Sequence, residues 1–222
     1  MAAPATVSPA NLTGTYTLNS KLSDSMDPVL KMQGVGWLVR QAASYSTITV
    51  KMAQYARAED GVVCLDVDQV STGCIRSTEE RVLNWEWFEK NDRIWGKVRG
   101  RARLVFFFLL PFFPFFPDSS LWKCDIFVDF WRTFRLTVIF YSRIIKLSEL
   151  DADDYLKSGW AQDCVEGDVI EMQVDSITDT WTAQQVWGMA EVKGERRQVR
   201  KVLAKKGDKV HRISIVYDYV SK

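Results

Sequence analysis

One histidine, His211, is all that this 222-residue chain offers for imidazole chemistry. It stands beside a predicted turn with no obvious partner, so it reads as a surface or structural residue rather than as part of a Ser-His-Asp or Cys-His arrangement. Cysteine is just as sparse. Cys64, Cys74, Cys124 and Cys164 show no CxxC spacing and read as reduced, mostly buried thiols, not as a disulfide framework or a zinc site. Neither sign of charge is in excess: 29 basic residues against 28 acidic ones leave a net charge of +1, too little to neutralise the phosphates of a nucleic acid. A glycine-rich phosphate loop is missing, because Gly34-Val35-Gly36 lacks both the third glycine and a βαβ context. Asp151, Asp153 and Asp154 suit the first turn of a helix better than a metal site. Met1 to Pro9 carries neither a basic stretch nor an apolar core of signal-peptide type. The expectations are no metal, no cofactor, no nucleic-acid partner and a cytoplasmic location.

Long apolar runs are almost absent too, with one exception. Eleven of the twelve phenylalanines lie between Phe106 and Phe140. Within that interval the run from Leu104 to Phe116 is 13 residues long and holds two prolines, too short to span a bilayer. It has neither helical nor strand periodicity. Its Phe, Leu, Pro and Ser content corresponds to pyrimidine-rich codons, as found near an intron's 3′ end. Residues 105–146 therefore read as a translated intron or a genuine insertion, dispensable to the fold in either case. Without them 180 residues remain, with 24 basic and 25 acidic, and Leu104 runs directly into Leu147. Residues 1–10, rich in Pro, Ala and Ser, read as a disordered leader.

What is present is β-patterning. Thr13 to Leu18 alternates with β-branched residues and predicts a strand. Asp27-Pro28 predicts a helix start, Asp27 as N-cap and proline at the first helical position. Gly34 closes that helix, and Val35, Leu38, Val39 and Ala42 give the apolar stripe of a second one. Tyr45 to Tyr55 returns to strand, with Ile48, Val50 and Met52 on one side. Gly61 to Asp68 is a further strand. Val82 to Arg103 predicts a hairpin turning at Glu89-Lys90-Asn91-Asp92, with Leu83, Trp85, Trp87 and Val98 on the inner face and Glu86, Lys97 and Arg99 outside. A short helix runs to Lys157, and Val169 to Val174 is a strand. The last forty residues form a meander over 180–192, 198–204 and 210–220, turning at Lys193-Gly194-Glu195 and Lys205-Lys206-Gly207-Asp208. One apolar and one charged face imply antiparallel pairing. The fold class is mainly β: a single antiparallel up-and-down barrel over residues 11–220 with a short helix-pair lid.

Strand, tight helix pair and return to strand, carried by Gly14-Thr15-Tyr16, the Asp27–Met32 turn and Gly34-Val35-Gly36-Trp37, resembles the start of the intracellular fatty-acid-binding proteins. Asn84-Trp85-Glu86-Trp87, Trp95-Gly96-Lys97-Val98-Arg99-Gly100, Trp181 to Gly188, Arg196 to Arg200 and Ile215 to Tyr219 resemble a group of fungal lipocalin-like proteins. The resemblance covers nearly all of 11–104 and 147–220. It implies a calycin-type barrel. Members of that group include pericyclases of secondary-metabolite clusters, which fold a reactive polyene inside the barrel with neither nucleophile nor metal.

Seven tryptophans lie outside the Phe-rich interval, enough to line an apolar site. The candidate ligand-binding residues are Trp37, Arg40, Tyr45, Trp85, Trp87, Trp181, Gln185, Trp187, Tyr217 and Tyr219. The expected partner is a hydrophobic small molecule, with catalysis of a pericyclic or cyclisation step as the sharper reading. Non-catalytic carriage of a lipid or small molecule is the alternative, and membrane attachment through the Phe-rich segment the third.

Overall fold

A computed structural model describes residues 1–72, 75–85, 88–92, 96–100, 138–176 and 180–222, with backbone only at 75, 77, 88–92, 96–100 and 138–141. Nine strands form one antiparallel sheet: β1 (Gly14–Leu18), β2 (Ile48–Ala56), β3 (Val63–Ser71), β4 (Ile75–Val82), β7 (Val138–Lys146), β8 (Asp168–Ser176), β9 (Trp181–Val192), β10 (Glu195–Lys206) and β11 (Lys209–Ser221). Their order is β4-β3-β2-β1-β11-β10-β9-β8-β7. Neighbours in space are neighbours in sequence except where β11 returns to β1. The sheet curls into a nearly closed up-and-down barrel, and curling leaves few unpaired edges. Just past the end of β4, Asn84 forms an isolated bridge to Arg143 on β7, beside which Trp85 N–H donates to Ser142 O at 3.1 Å. Trp85 holds this seam with a φ of 58°, a left-handed conformation costly for a bulky residue.

Strand periodicity sorts the side chains. Tyr16, Val50, Met52, Leu65, Val67, Met172, Val174, Trp187, Val202 and Ile213 are all buried at inward positions of their ladders. Outside β9 and β10 lies a second apolar layer, built by a 3₁₀ turn (Leu147–Glu149) and two short helices, α3 (Asp154–Lys157) and α4 (Gln162–Val165). Leu150, Leu156, Trp160 and Cys164 are buried there. Trp160 crosses Gly188 so closely that a Cβ on the glycine would stand 2.9 Å from the indole. Asp153 caps α3, accepting from Tyr155 N–H at 3.0 Å. At one end of the barrel sit the lid helices, α1 (Asp27–Met32) and α2 (Trp37–Tyr45), with Gly34 at a φ of 81° between them.

Several expectations change. The leader is ordered: Ala3 and Val7 are buried in the core, Ala3 N–H donates to Arg196 O at 2.6 Å, and Arg196 Nη1 donates to Val7 O at 2.7 Å. Its proline-rich composition hid two small apolar side chains and a set of carbonyls that an arginine satisfies. Asp27 does not cap α1, because its carboxylate accepts from Arg40 Nε at 2.8 Å; Met26 is the N-cap instead. On α2 the buried residue is Ala43, while Leu38 faces outward. The predicted turn residues of the hairpin are strand. Glu89 to Asp92 belongs to β5 (Phe88–Asp92), which pairs with β6 (Gly96–Gly100) in a register placing Glu89 opposite Arg99. Finally, Val138 to Lys146, inside the interval read as an insertion, is β7 and pairs with β8 along nine residues. Residues 105–137 lie outside those described.

Candidate binding site

Inside the barrel, halfway along β10, the inner face stops being apolar. A two-residue turn at Lys193-Gly194 sets Arg200 opposite Trp187 on β9, and the next turn sets it opposite Ile215 on β11. Arg200 is 7 % exposed. Its guanidinium carbon lies 3.6 Å from the centroid of the Trp187 ring and 4.5 Å from that of Tyr217. Aromatic faces hold a cation by their quadrupole, more strongly where water is excluded. They do not satisfy its N–H groups, however, and among the described residues Arg200 Nε and Nη2 have no hydrogen-bond partner.

A second arginine shares the same indole. Arg81 on β4 is buried, with its guanidinium carbon 4.2 Å from the Trp187 centroid. It has a counter-ion: Nε and Nη2 both donate to Glu79 Oε2, at 3.1 and 2.6 Å. Burial pulls the Arg81 pKa down to about 10, with Glu79 opposing and Arg200 adding to the fall. Burial also lowers that of Arg200. An arginine guanidinium keeps its charge in proteins, so among the described residues two positive charges face the Glu79 carboxylate. Trp187 is fixed by its indole N–H, which donates to Gln185 Oε1 at 3.2 Å. Among the described residues Gln198, wholly buried two residues before Arg200, also leaves its Oε1 without a partner, as Trp181 does its Nε1. Buried polar groups are normally paired. Arg200 and Gln198 present theirs two residues apart on the inner face of β10, while Trp181 lies at the other end of β9, opposite Lys206.

Of the residues expected to bind ligand, the structure brings Trp181, Gln185, Trp187 and Tyr217 into the interior, all buried. Tyr219 is half-buried beside them, edge-on to Tyr16 with centroids 5.6 Å apart. Trp85 stands at the barrel seam under the Arg143 guanidinium, 4.3 Å from its ring centroid. Arg40 is spent within the lid, donating to Asp27 and to Val35 O. Trp37 and Tyr45, 62 % and 85 % exposed, are not brought to the group. Both lie on the outward face of α2, where the helix's inner side is taken by Ala43. Trp87 lies outside the described residues, as do the side chains of Val98, Lys97 and Arg99. Leu83 is buried as expected. The residues missed were Glu79, Arg81, Gln198 and Arg200.

Among the described residues no helix is long and apolar enough to cross a membrane, and no three His, Cys, Asp or Glu side chains cluster as a metal site.

No protein-family model matches the chain. It is 26 % identical over 220 residues to a protein named probable pericyclase scpY from Mollisia scopiformis, covering 99 % of this chain and 95 % of the relative. It is also 26 % identical over 222 residues to pericyclase pydY from an Acremonium species, covering 99 % and 97 %. Solved structures similar to it include a Schistosoma mansoni fatty-acid-binding protein in complex with arachidonic acid, 15 % identical with a TM-score of 0.44 over 97 % of this chain and all of that one. A zebrafish ileal bile-acid-binding protein complexed with cholic acid is 9 % identical, with a TM-score of 0.42 over 94 % and 98 %.

Proposed function

We propose that this barrel binds an elongated apolar molecule with an oxygen-bearing headgroup on Arg200, and catalyses a pericyclic ring closure of it as a cytoplasmic enzyme of fungal secondary metabolism. The observation that carries the reading is Arg200 itself: a buried cation with two unpaired N–H groups, stacked on Trp187 and Tyr217. A fold keeps such a group at a cost in stability unless something else uses it. An acceptor oxygen on the guest would complete its hydrogen bonds and offset its charge.

The chemistry follows from that contact. In a cycloaddition activated by a conjugated carbonyl, electron density builds up on the carbonyl oxygen as the new carbon–carbon bonds form. A fixed, charged donor at that oxygen stabilises the transition state more than the ground state, and removing one such donor typically costs about 3 kcal/mol of barrier. Trp181, Trp187, Tyr217 and Tyr219 would form the wall that holds the chain folded, its reacting ends in contact before reaction. A concerted ring closure moves electron pairs only within the substrate, so it requires no proton transfer, nucleophile or metal, and the product is an isomer of the substrate. The pericyclase names of the two relatives that run the length of the chain support this reaction class.

An isomerisation gives the test a clean form. Deleting the gene should leave total product mass unchanged but replace one cyclised isomer by its open precursor or by a mixture of stereoisomers, read by chromatography with mass spectrometry. The purified protein added to that extract should restore the single isomer. An unchanged isomer pattern, with ligand still bound by the purified barrel, would make it a carrier instead.

A further inference from the structure

Gln198 is chemically out of place if Arg200 alone recognises the guest. It sits on the inner face of β10, opposite Tyr217 on one side and Met189 on the other, where a leucine or methionine would fill the space without polar atoms to satisfy. Its amide nitrogen reaches only the carbonyl of its neighbour Val199, at 3.4 Å, the outer limit of a hydrogen bond. Its Oε1 is buried and has no partner among the described residues. The contact with Val199 O favours the amide nitrogen on that side, which turns Oε1 toward the other. Because strand residues two apart share a face, Gln198 Oε1 and the Arg200 N–H groups are presented together, their backbones about 6.5 Å apart along the strand. A plain carboxylate headgroup could use only the arginine.

Resting on the reading of Arg200 as the headgroup site, we propose that the guest's headgroup pairs an acceptor oxygen with a neighbouring O–H or N–H donor, and that Gln198 is the residue that selects for the donor. The chemical class is a hydroxy acid, hydroxy ketone or lactam at the end of an apolar chain. A site built to accept a hydrogen bond discriminates against the analogue that lacks it, because the buried acceptor is then left unpaired.

The test uses the full-length protein and hexadecanoic acid against its 2-hydroxy and 3-hydroxy derivatives, with affinities from isothermal titration. In the unaltered protein one of the hydroxy acids should bind at least about tenfold more tightly than hexadecanoic acid. In Gln198→Leu, and in Gln198→Met as a check on packing, the preference should collapse while hexadecanoic acid binds at least as well as before. Equal binding of all three acids to the unaltered protein would overturn the role of Gln198 and leave Arg200 as the headgroup site. A preference that survives both substitutions would overturn it as well. Failure of all three acids to bind would overturn the reading of Arg200, and this proposal with it.

Discussion

Arg200 and Trp187 face each other across the β9–β10 ladder as a register pair, with guanidinium and indole 3.6 Å apart in the barrel interior. Arg81 approaches the same ring, and among the described residues only Arg81 of the two has a carboxylate. The asymmetry matters. One arginine is a structural ion pair, whereas the other holds its charge on aromatic faces alone.

Removing that charge should therefore help folding. Arg200→Met keeps the volume, deletes an unpaired buried cation and relieves its repulsion with Arg81. The melting temperature is expected to stay level or rise, by up to about 2 kcal/mol in stability. A fall of similar size would mean that the stack on Trp187 contributes more than the buried charge costs.

Gly188 is set by packing, not by backbone freedom. A Cβ there would meet Trp160 at 2.9 and 3.0 Å and Cys164 Sγ at 3.3 Å, and a ring buried on all sides cannot swing away. Gly188→Ala should cost about 1–3 kcal/mol. Gly36→Ala, where nothing lies within 4 Å, should stay within about 0.5 kcal/mol of the unaltered protein. Thermal melts of the two variants make the comparison.

Acid should loosen the contact between β10 and β11. Burial alone would raise the Asp218 carboxyl. Arg197 Nε and Asn19 Nδ2, each donating at 2.7 Å, nevertheless hold it below the usual carboxylate range. A depressed folded pKa gives stability that is present above the unfolded value of about 4 and lost as pH falls through the folded one. Asp218→Asn should thus lose about 1 kcal/mol at pH 7, and the gap should close as the pH falls below about 4. A gap independent of pH would assign the loss to something other than the charge.

The meander was legible because its turns are. Lys193-Gly194 and Gly207 take the left-handed conformations that their sequence suggests, and Ile48, Val50 and Met52 share the inner face as their alternation implies. The interior charges were not read from the sequence. Arg76-Ser77-Thr78-Glu79-Glu80-Arg81 looks polar on both faces, and nothing in its composition says that Glu79 and Arg81 point inward. A signal for Arg200 was nonetheless available. With the turn at 193–194, counting back along both strands pairs residue 200 with 187, which places an arginine on a tryptophan at an inward position. The lid's aromatic residues misled for the opposite reason: on a short helix with one buried position, Trp37 and Tyr45 had nowhere to go but out.

β7 makes part of the Phe-rich interval structural. Deleting 105–146 removes a strand paired along nine residues with β8, opens the barrel and exposes a long edge. That protein should be poorly soluble and lack a cooperative melt. Deleting only 105–137, so that Leu104 continues into Val138, retains the strand and should give soluble protein with a single transition. Equal yields and melts for the two deletions would show β7 to be dispensable.

The most direct measurement is a fluorescence titration with a conjugated octadecatetraenoic acid, a polyene whose head is an acceptor for Arg200 and whose chain absorbs tryptophan emission. The account predicts saturable quenching at one molecule per barrel, with affinity at least about tenfold weaker in Arg200→Met although that variant is folded. Quenching that never saturates, or equal affinity in the two proteins, would contradict it.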